Sequence, residues 1–317
     1  MPRAPRPPEI VVPGSISNLG AGFDALSVAV DVYLRLDILE IRPEAPGTIE
    51  VEFDGPPPAG ENRIVTGFQR AAAQSSARVP GVCVRARSDI PVRAGLGSSA
   101  AAAVAGIRLF QALGPTSSDV NALAIATGIE GHPDNAAAAL LGGLTVSCQH
   151  DDGRVTSRAS RWPADVRFVV ATPGAELETA VARRMLPASI PLKDAVFNLQ
   201  RALLLLRALE SGHYEDLREA LRDRWHQPAR QASVPGLPEA LALNHPAVLG
   251  VCLSGAGPSI AALTAGREAE VGELLGGIYT RLGLPYTIRS LSAHQPARPA
   301  GRARRPRRPP APVRPQA

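Results

Sequence analysis

The segment that most narrows what this chain can become is Pro91-Val92-Arg93-Ala94-Gly95-Leu96-Gly97-Ser98-Ser99-Ala100-Ala101. Ahead of it, Val82, Val84 and Ala86 alternate with Cys83, Arg85 and Arg87, the period of a half-buried strand. Behind it, an alanine-rich stretch from about Ser99 to Leu113 reads as a helix stopped by Gly114 and Pro115. A glycine-rich turn between a strand and a helix N-terminus is a cradle for phosphate, because free amides and the positive end of the helix dipole converge there. Gly95 and Gly97 allow positive φ and close backbone approach to an anion. The amides of Leu96 to Ala101 would line up on that anion, and Ser98 and Ser99 add hydroxyls for phosphate or Mg2+. The alanines would let the helix pack closely behind a nucleotide. No GK[ST] follows, so this is not a Walker A loop, and Ala100 stands where a dinucleotide fingerprint requires glycine. A capped helix after a tight turn is the structural alternative.

The whole chain has 317 residues, which suits two domains sharing a cleft. Strands are expected over Glu9–Val12, Val28–Ile41 and Thr48–Phe53, followed by a proline-rich loop from Gly55 to Gly60 and a helix over Asn62–Ser76. Ser118 is placed to cap a helix running to about Gly128, and Asp134 one running through Leu141. A composition shift at Asp151–Pro163 marks the expected boundary between a domain over residues 9–155 and another over 164–292. In the second half, Asp194–Glu210 is the clearest helix, with Val196, Leu199, Leu203 and Leu206 as an apolar stripe expected to face a core. Strands and helices mix without regular βα alternation, which predicts an α+β fold.

Charge and composition exclude several classes. The net charge is +5, but seven arginines and no acid lie between Gln295 and Ala317, so the rest of the chain carries −2. Residues 1–8 and 293–317 are read as disordered extensions, and the arginine tail as solvated, not as a nucleic-acid arm. No apolar run approaches the roughly 20 residues of a membrane span, and no signal peptide is evident, so a cytoplasmic protein is expected. Cys83, Cys148 and Cys252 have neither zinc nor redox spacing. Lys193 is the one lysine, so any chemistry needing an active-site lysine must use it.

Three further segments accompany the glycine loop: Val12-Pro13-Gly14-Ser15-Ile16-Ser17-Asn18-Leu19-Gly20-Ala21-Gly22-Phe23-Asp24, Glu130-Gly131-His132-Pro133-Asp134-Asn135, and Leu253-Ser254-Gly255-Ala256-Gly257-Pro258-Ser259. In this order the set resembles the GHMP kinase superfamily, and the first two strings are similar to those of its homoserine kinases. The likeness spans about residues 9 to 292. Gly14, Ile16 and Ala21 depart from the usual residues of the first string without touching a polar group. The resemblance implies an N-terminal domain like ribosomal protein S5 domain 2 and a ferredoxin-like C-terminal domain, with ATP in the cleft and L-homoserine as acceptor. It puts the phosphates on the Pro91–Ala101 loop and Mg2+ on Ser98 and Glu130. It puts Asn18, Asp24, His132, Asn135, Arg183 and Arg230 on the acceptor, with Asn135, Arg230 and Asp24 closest to the chemistry. Two arginines suit a planar carboxylate. It makes Ser254–Gly257 a second loop closing over the cleft. A homodimer is also within the family's habit. The alternatives are a kinase of the same superfamily with a sugar or isoprenoid acceptor, or a relative that binds nucleotide without turnover. The absence of lysine from every motif weakens the mevalonate-type reading.

Overall fold

The structure is a computed structural model, and it describes residues 9–58, 60–114, 121–175, 177 and 179–296. Strands β1 (Ile10–Ser17), β2 (Leu26–Arg42), β3 (Ile49–Phe53), β4 (Gly81–Ser88), β5 (Leu144–Gln149) and β6 (Val155–Ser160) form the first sheet, in the order β3-β4-β2-β5-β6 with β1 also on β2. All pairs are antiparallel except β3 and β4, whose parallel pairing is bridged by α1 (Arg63–Gln74). The strand expected over Val28–Ile41 is one uninterrupted strand with an irregular register between Ile38 and Glu40. β6 pairs along β5, so the first sheet runs to Ser160, and the polar segment at 151–153 is its hairpin turn.

Helix α1 starts where Asn62 accepts hydrogen bonds from the amides of Ile64 and Val65. Helix α2 (Ser98–Leu113) packs on it backbone to backbone. A Cβ at Gly106 would meet the Ile64 carbonyl at 2.0 Å, and one at Gly67 the Ala103 carbonyl at 2.1 Å. The alanines of α2 therefore serve contact with α1 and the sheet, not only with a nucleotide. Helix α3 (Ala122–Glu130) is capped by Asn121, whose side chain accepts from the Ala124 amide; Ser118, expected in that role, lies outside the described residues. Helix α4 (Asp134–Leu141) follows, with Asp134 in its first turn and Pro133 at the cap position, a correction to the cap expected at Asp134.

The second sheet contains β7 (Arg167–Pro173), β8 (Gly250–Leu253), β9 (Ile260–Thr264) and β10 (Tyr286–Leu291) in the order β10-β7-β9-β8, all antiparallel. Between β7 and β8 run α5 (Thr179–Arg184), α6 (Leu192–Ser211), α7 (Leu217–Ala220), α8 (His226–Arg230) and α9 (Leu237–Leu241), while α10 (Glu268–Arg281) joins β9 to β10. This order is the ferredoxin-like arrangement, so the α+β expectation holds.

Two expectations change. On α6 the stripe Val196, Leu199 and Leu203 faces outward, and Phe197, Leu205, Ala208 and Leu209 are buried instead. Residues 293–296, assigned by composition to the tail, are docked on the first sheet. Ala293 bridges Val30, His294 exchanges backbone bonds with Ala29 and Gly143, and the Gln295 side chain bonds both backbone groups of Trp162. The remainder of the tail and residues 1–8 lie outside the described residues. Among the described residues, no helix is long and apolar enough to cross a membrane.

Candidate active site

A cleft of about 460 Å3 runs between the two sheets' loops, a size suited to small-molecule binding. One end is walled by Leu34, Phe53, Ile64 and Ala86, with Asp54, Asn62 and Ser88 as polar points. The other end holds Asn18, Phe23, Asp24, His132, Asp134, Arg183 and Arg230. The glycine loop lies along the middle.

Within that loop Arg93, Gly95 and Gly97 take positive φ of 54°, 79° and 72°. Gly97 ends the loop in the left-handed region immediately before α2, so the helix N-terminus opens on the cleft. Val92, Arg93, Ala94, Gly95, Gly97, Ser98 and Ser99 line it. Pro91 does not, and Leu96, Ala100 and Ala101 turn their side chains into the core, which leaves only their backbone to meet a ligand. The glycines are also needed for packing. A Cβ on Gly95 would meet the Ser254 carbonyl at 2.4 Å, and one on Gly97 would meet the Ser15 hydroxyl at 2.2 Å. Ser99 donates to Glu130 at 2.7 Å, tying the loop to the C-terminal end of α3.

The loop Ser254–Gly257 locks the two domains together. Ser254 donates its hydroxyl to the Gly95 carbonyl at 2.7 Å, Ser259 its amide to Ala94, and Gly255 its amide to Ser17. The Gly255 carbonyl accepts from Asn18 Nδ2 at 2.9 Å and from Arg230 Nη1 at 3.3 Å.

The front motif forms a tight left-handed turn. Asn18, Leu19 and Gly20 have φ of 71°, 45° and 71°, and Asp24 is also left-handed at 56°. Consecutive non-glycine residues in this region are costly and persist only where surroundings hold them. Asn18 supplies that hold: its amide nitrogen goes to Gly255 and its oxygen accepts from the Asp24 amide. Asn18 thus braces the cleft wall with both polar ends. Asp24 pairs with Arg183 at 2.6 Å, with both side chains about one-third exposed.

Arg230 is 1 % exposed. Its guanidinium bonds the carbonyls of Ala182 and Gly255 and the Nδ1 of His226, and among the described residues none of its hydrogen-bond partners is a carboxylate. Burial first, then the nearby Arg183 charge, pull its pKa down to about 10, so it is still a cation at neutral pH. A buried guanidinium facing a cleft without a carboxylate against it favours an anionic ligand. The Phe23 ring lies 5.6 Å from the guanidinium carbons of both Arg183 and Arg230, and 4.9 Å from the Trp225 ring.

His226 was not singled out from the sequence, yet it links two parts of the site. It donates from Nε2 to the Gly20 carbonyl at 2.8 Å and accepts at Nδ1 from Arg230 at 3.1 Å. Full burial lowers its pKa, which favours the neutral ring that these two bonds require. Asp223 braces the same turn by accepting from Asn198 and from the amides of Trp225 and Gln227.

His132 donates to Asp134 at 2.5 Å. Burial pushes the His132 pKa down, but the bond to Asp134 and its negative charge outweigh burial, and the value is raised. Asn135 Oδ1 accepts from the Ser15 hydroxyl at 2.7 Å. Asp24, His132 and Asp134 stand close enough to form a metal cluster. Arg183 on Asp24 and the nearby Arg230 make that cluster a poor place for a cation. Ser98 and Glu130 offer the oxygen donors that Mg2+ prefers, at the helix end where phosphates would arrive.

Residues 62–143 match the profile of the GHMP kinases N terminal domain, and residues 205–273 that of the GHMP kinases C terminal. A homoserine kinase of Thermus thermophilus is 41% identical over 268 residues, covering 83% of this chain and 89% of the relative. The chain belongs to the homoserine kinase family of GHMP kinases. Another family member, from Moorella thermoacetica, is 37% identical over 289 residues, covering 90% of this chain and 97% of its own. Among solved structures, the homoserine kinase of Cytophaga hutchinsonii superposes with a TM-score of 0.75 at 24% identity, over 90% of this chain and 96% of that one. The mevalonate kinase of Methanococcus jannaschii gives a TM-score of 0.60 at 15% identity, over 93% and 100%. The fold is therefore shared more widely than the family.

The residues that sequence reasoning missed in this homoserine kinase family member are Phe23, Phe53, Asn62 and His226. Phe53 and Asn62 flank the proline-rich segment read as a plain loop; a long proline-rich connection beside a phosphate loop was the available signal. Nothing in the sequence marks His226 apart from its place four residues before Arg230.

Proposed function

We propose that this chain is an ATP-dependent kinase that phosphorylates the side-chain hydroxyl of L-homoserine, giving ADP and O-phospho-L-homoserine, a precursor of threonine. The observation that supports it most is the pairing of an open helix N-terminus at Gly97–Ser99 with a buried Arg230 at the other end of one cleft. The first suits polyphosphate, and the second a carboxylate.

In this reading the nucleotide base lies against Phe53, Ile64 and Leu34, and the phosphates meet the loop amides from Gly95 to Ala101. Mg2+ is assigned to Ser98 and Glu130, where it would neutralise phosphate charge. Arg183 and Arg230 hold the acceptor carboxylate, Asp24 its ammonium, and His132 and Asn135 its remaining polar groups. Phosphoryl transfer asks chiefly for in-line positioning and charge neutralisation. Both acceptor-side carboxylates are already engaged, Asp24 by Arg183 and Asp134 by His132 and the Asn135 amide. That favours catalysis by positioning over a dedicated base. Lys193 is exposed on α6 and does not line the cleft, so no Asp–Lys pair is available. A cytoplasmic location goes with this reading.

The test is coupled ADP release by the purified protein against homoserine, mevalonate, galactose and shikimate. Turnover of homoserine is expected. Turnover of another acceptor with none of homoserine would overturn the assignment.

A further inference from the structure

Ser15 is 1 % exposed in β1 and does not line the cleft, yet it stands between the glycine loop and the start of α4. The register of β1 on β2 shifts between Pro13 and Gly14, just ahead of it. A Cβ on Gly14 would meet the Leu96 carbonyl at 2.9 Å, so the missing side chain is what lets the strand come this close to the loop. The Ser15 amide then donates to the Leu96 carbonyl at 3.0 Å, and its hydroxyl donates to Asn135 Oδ1 at 2.7 Å. Gly97 closes the other side. A Cβ there would lie 2.2 Å from the Ser15 hydroxyl and 3.2 Å from Asn135 Oδ1.

These neighbours decide which way round the Asn135 amide sits. Its oxygen accepts from Ser15, and its nitrogen lies 3.5 Å from an Asp134 carboxylate oxygen. That carboxylate oxygen already accepts from His132 and from the Asn135 backbone amide. Turning the amide over would set two acceptor oxygens against each other there and lose an attraction. Asn135 lines the cleft beside Gly97 and Ser98. With Oδ1 held back against Ser15 and Gly97, a ligand meets the N–H side of the amide.

We infer that Ser15 is a positioning residue for phosphoryl transfer: it holds the Asn135 amide so that an N–H, and not the carbonyl oxygen, faces the oxygens of the phosphoryl group in transit. This rests on the reading of the cleft as a kinase site with its phosphates at Gly97–Ser99. A donor in that place offsets phosphoryl charge and takes no proton from the acceptor hydroxyl. Because the amide is oriented before the ligands arrive, it needs no reorganisation during the step. Without the Ser15 hydroxyl the amide is free to turn, and the loss falls on the rate, since Ser15 touches neither substrate.

A double-mutant cycle in steady-state kinetics tests this, run on whichever acceptor of the homoserine, mevalonate, galactose and shikimate panel the wild type phosphorylates. A wild type that uses an acceptor other than homoserine would reject the substrate and leave the cycle readable. Ser15→Ala is expected to lower kcat about 10-fold, the scale of one unsatisfied partner, with KM for ATP and for the acceptor nearly unchanged. Asn135→Ala is expected to lower kcat about 100-fold, the scale of one lost preorganised donor. The double variant should be no slower than Asn135→Ala alone, because Ser15 acts through Asn135. Ser15→Thr, which keeps the hydroxyl, should retain most of the wild-type kcat. Should Ser15→Ala fail to fold, Ser15→Cys fills the space with a weak donor and should show the same loss. Losses that multiply in the double variant would overturn the inference, as would a Ser15→Ala effect confined to the KM for ATP, which would make Ser15 a support of the glycine loop alone. Asn135→Asp separates donor from acceptor. It should be as slow as Asn135→Ala, and wild-type activity in it would show that Asn135 accepts a proton and not that it donates one.

Discussion

At the proposed nucleotide end of the cleft, phosphate contacts would come from backbone amides of one continuous segment, Gly95 to Ala101, backed by a helix end. At the proposed acceptor end the polar lining comes from side chains, Asp24, His132, Arg183 and Arg230 among them, which sit on four separate segments. The first end is robust to side-chain change but intolerant of added atoms, as the short Cβ distances at Gly95 and Gly97 show. The second depends on each side chain being held in place by others. The two ends should therefore fail differently.

The largest expected effect is that of Arg230→Ala. Removing one partner of a buried charge-assisted pair costs about 2–5 kcal/mol. kcat/KM for homoserine should fall roughly 30- to several-thousand-fold, at ~1.4 kcal/mol per factor of ten. ATP affinity by calorimetry should change far less. Equal loss on both substrates would erase the distinction between the ends.

His226→Ala should fall next, by about 10-fold in homoserine kcat/KM, because a lost buried partner leaves Arg230 and the Gly20 carbonyl each short of a hydrogen bond. The loss should appear mainly in the homoserine KM. An unchanged KM would mean that Arg230 is held well enough by the Ala182 and Gly255 carbonyls alone.

For the nucleotide end, Gly97→Val is a poor probe, since it would strike Ser15 and through it Asn135. Ser98→Ala is cleaner. About a 10-fold rise in KM for ATP, with a higher Mg2+ requirement and little change for homoserine, is expected. A change confined to homoserine would move Ser98 to the other end.

A smaller effect concerns pH. The His132 pKa is raised in the folded protein by Asp134, so the pair's contribution to stability is fully present below the ordinary histidine value and is lost as pH rises through the raised one. Urea unfolding of wild type and Asp134→Asn should differ most in acid and converge at higher pH. The smallest effect is truncation after Pro296, which should leave stability and activity unchanged. Truncation after Leu291 should lower Tm, because it removes the Gln295 bonds to Trp162.

The contrast also explains what could be read in advance. The loop between a strand and a helix is local, so glycine spacing sufficed to find it, and α1 (Arg63–Gln74) falls within the helix expected over Asn62–Ser76. The ferredoxin-like sheet order came only through resemblance, because strand order is a long-range property. Arg230 could be named as a candidate, but its burial depends on Ala182, Gly255 and His226, which approach from elsewhere in the fold. The α6 stripe was legible as apolar and misread as buried. Periodicity shows that a helix has two faces, and it does not tell which of them meets the protein's own core.

The Gly255 carbonyl receives hydrogen bonds from Asn18 and Arg230, while its neighbour Ser254 is bonded to Gly95 in the phosphate loop. One short piece of backbone is thus a shared boundary of both proposed substrate sites. If ATP binding shifted Gly95, this backbone would be the shortest route by which the shift could reach Arg230. Whatever coupling this backbone carried would be reciprocal: the factor by which ATP changed the affinity for homoserine would equal the factor by which homoserine changed that for ATP.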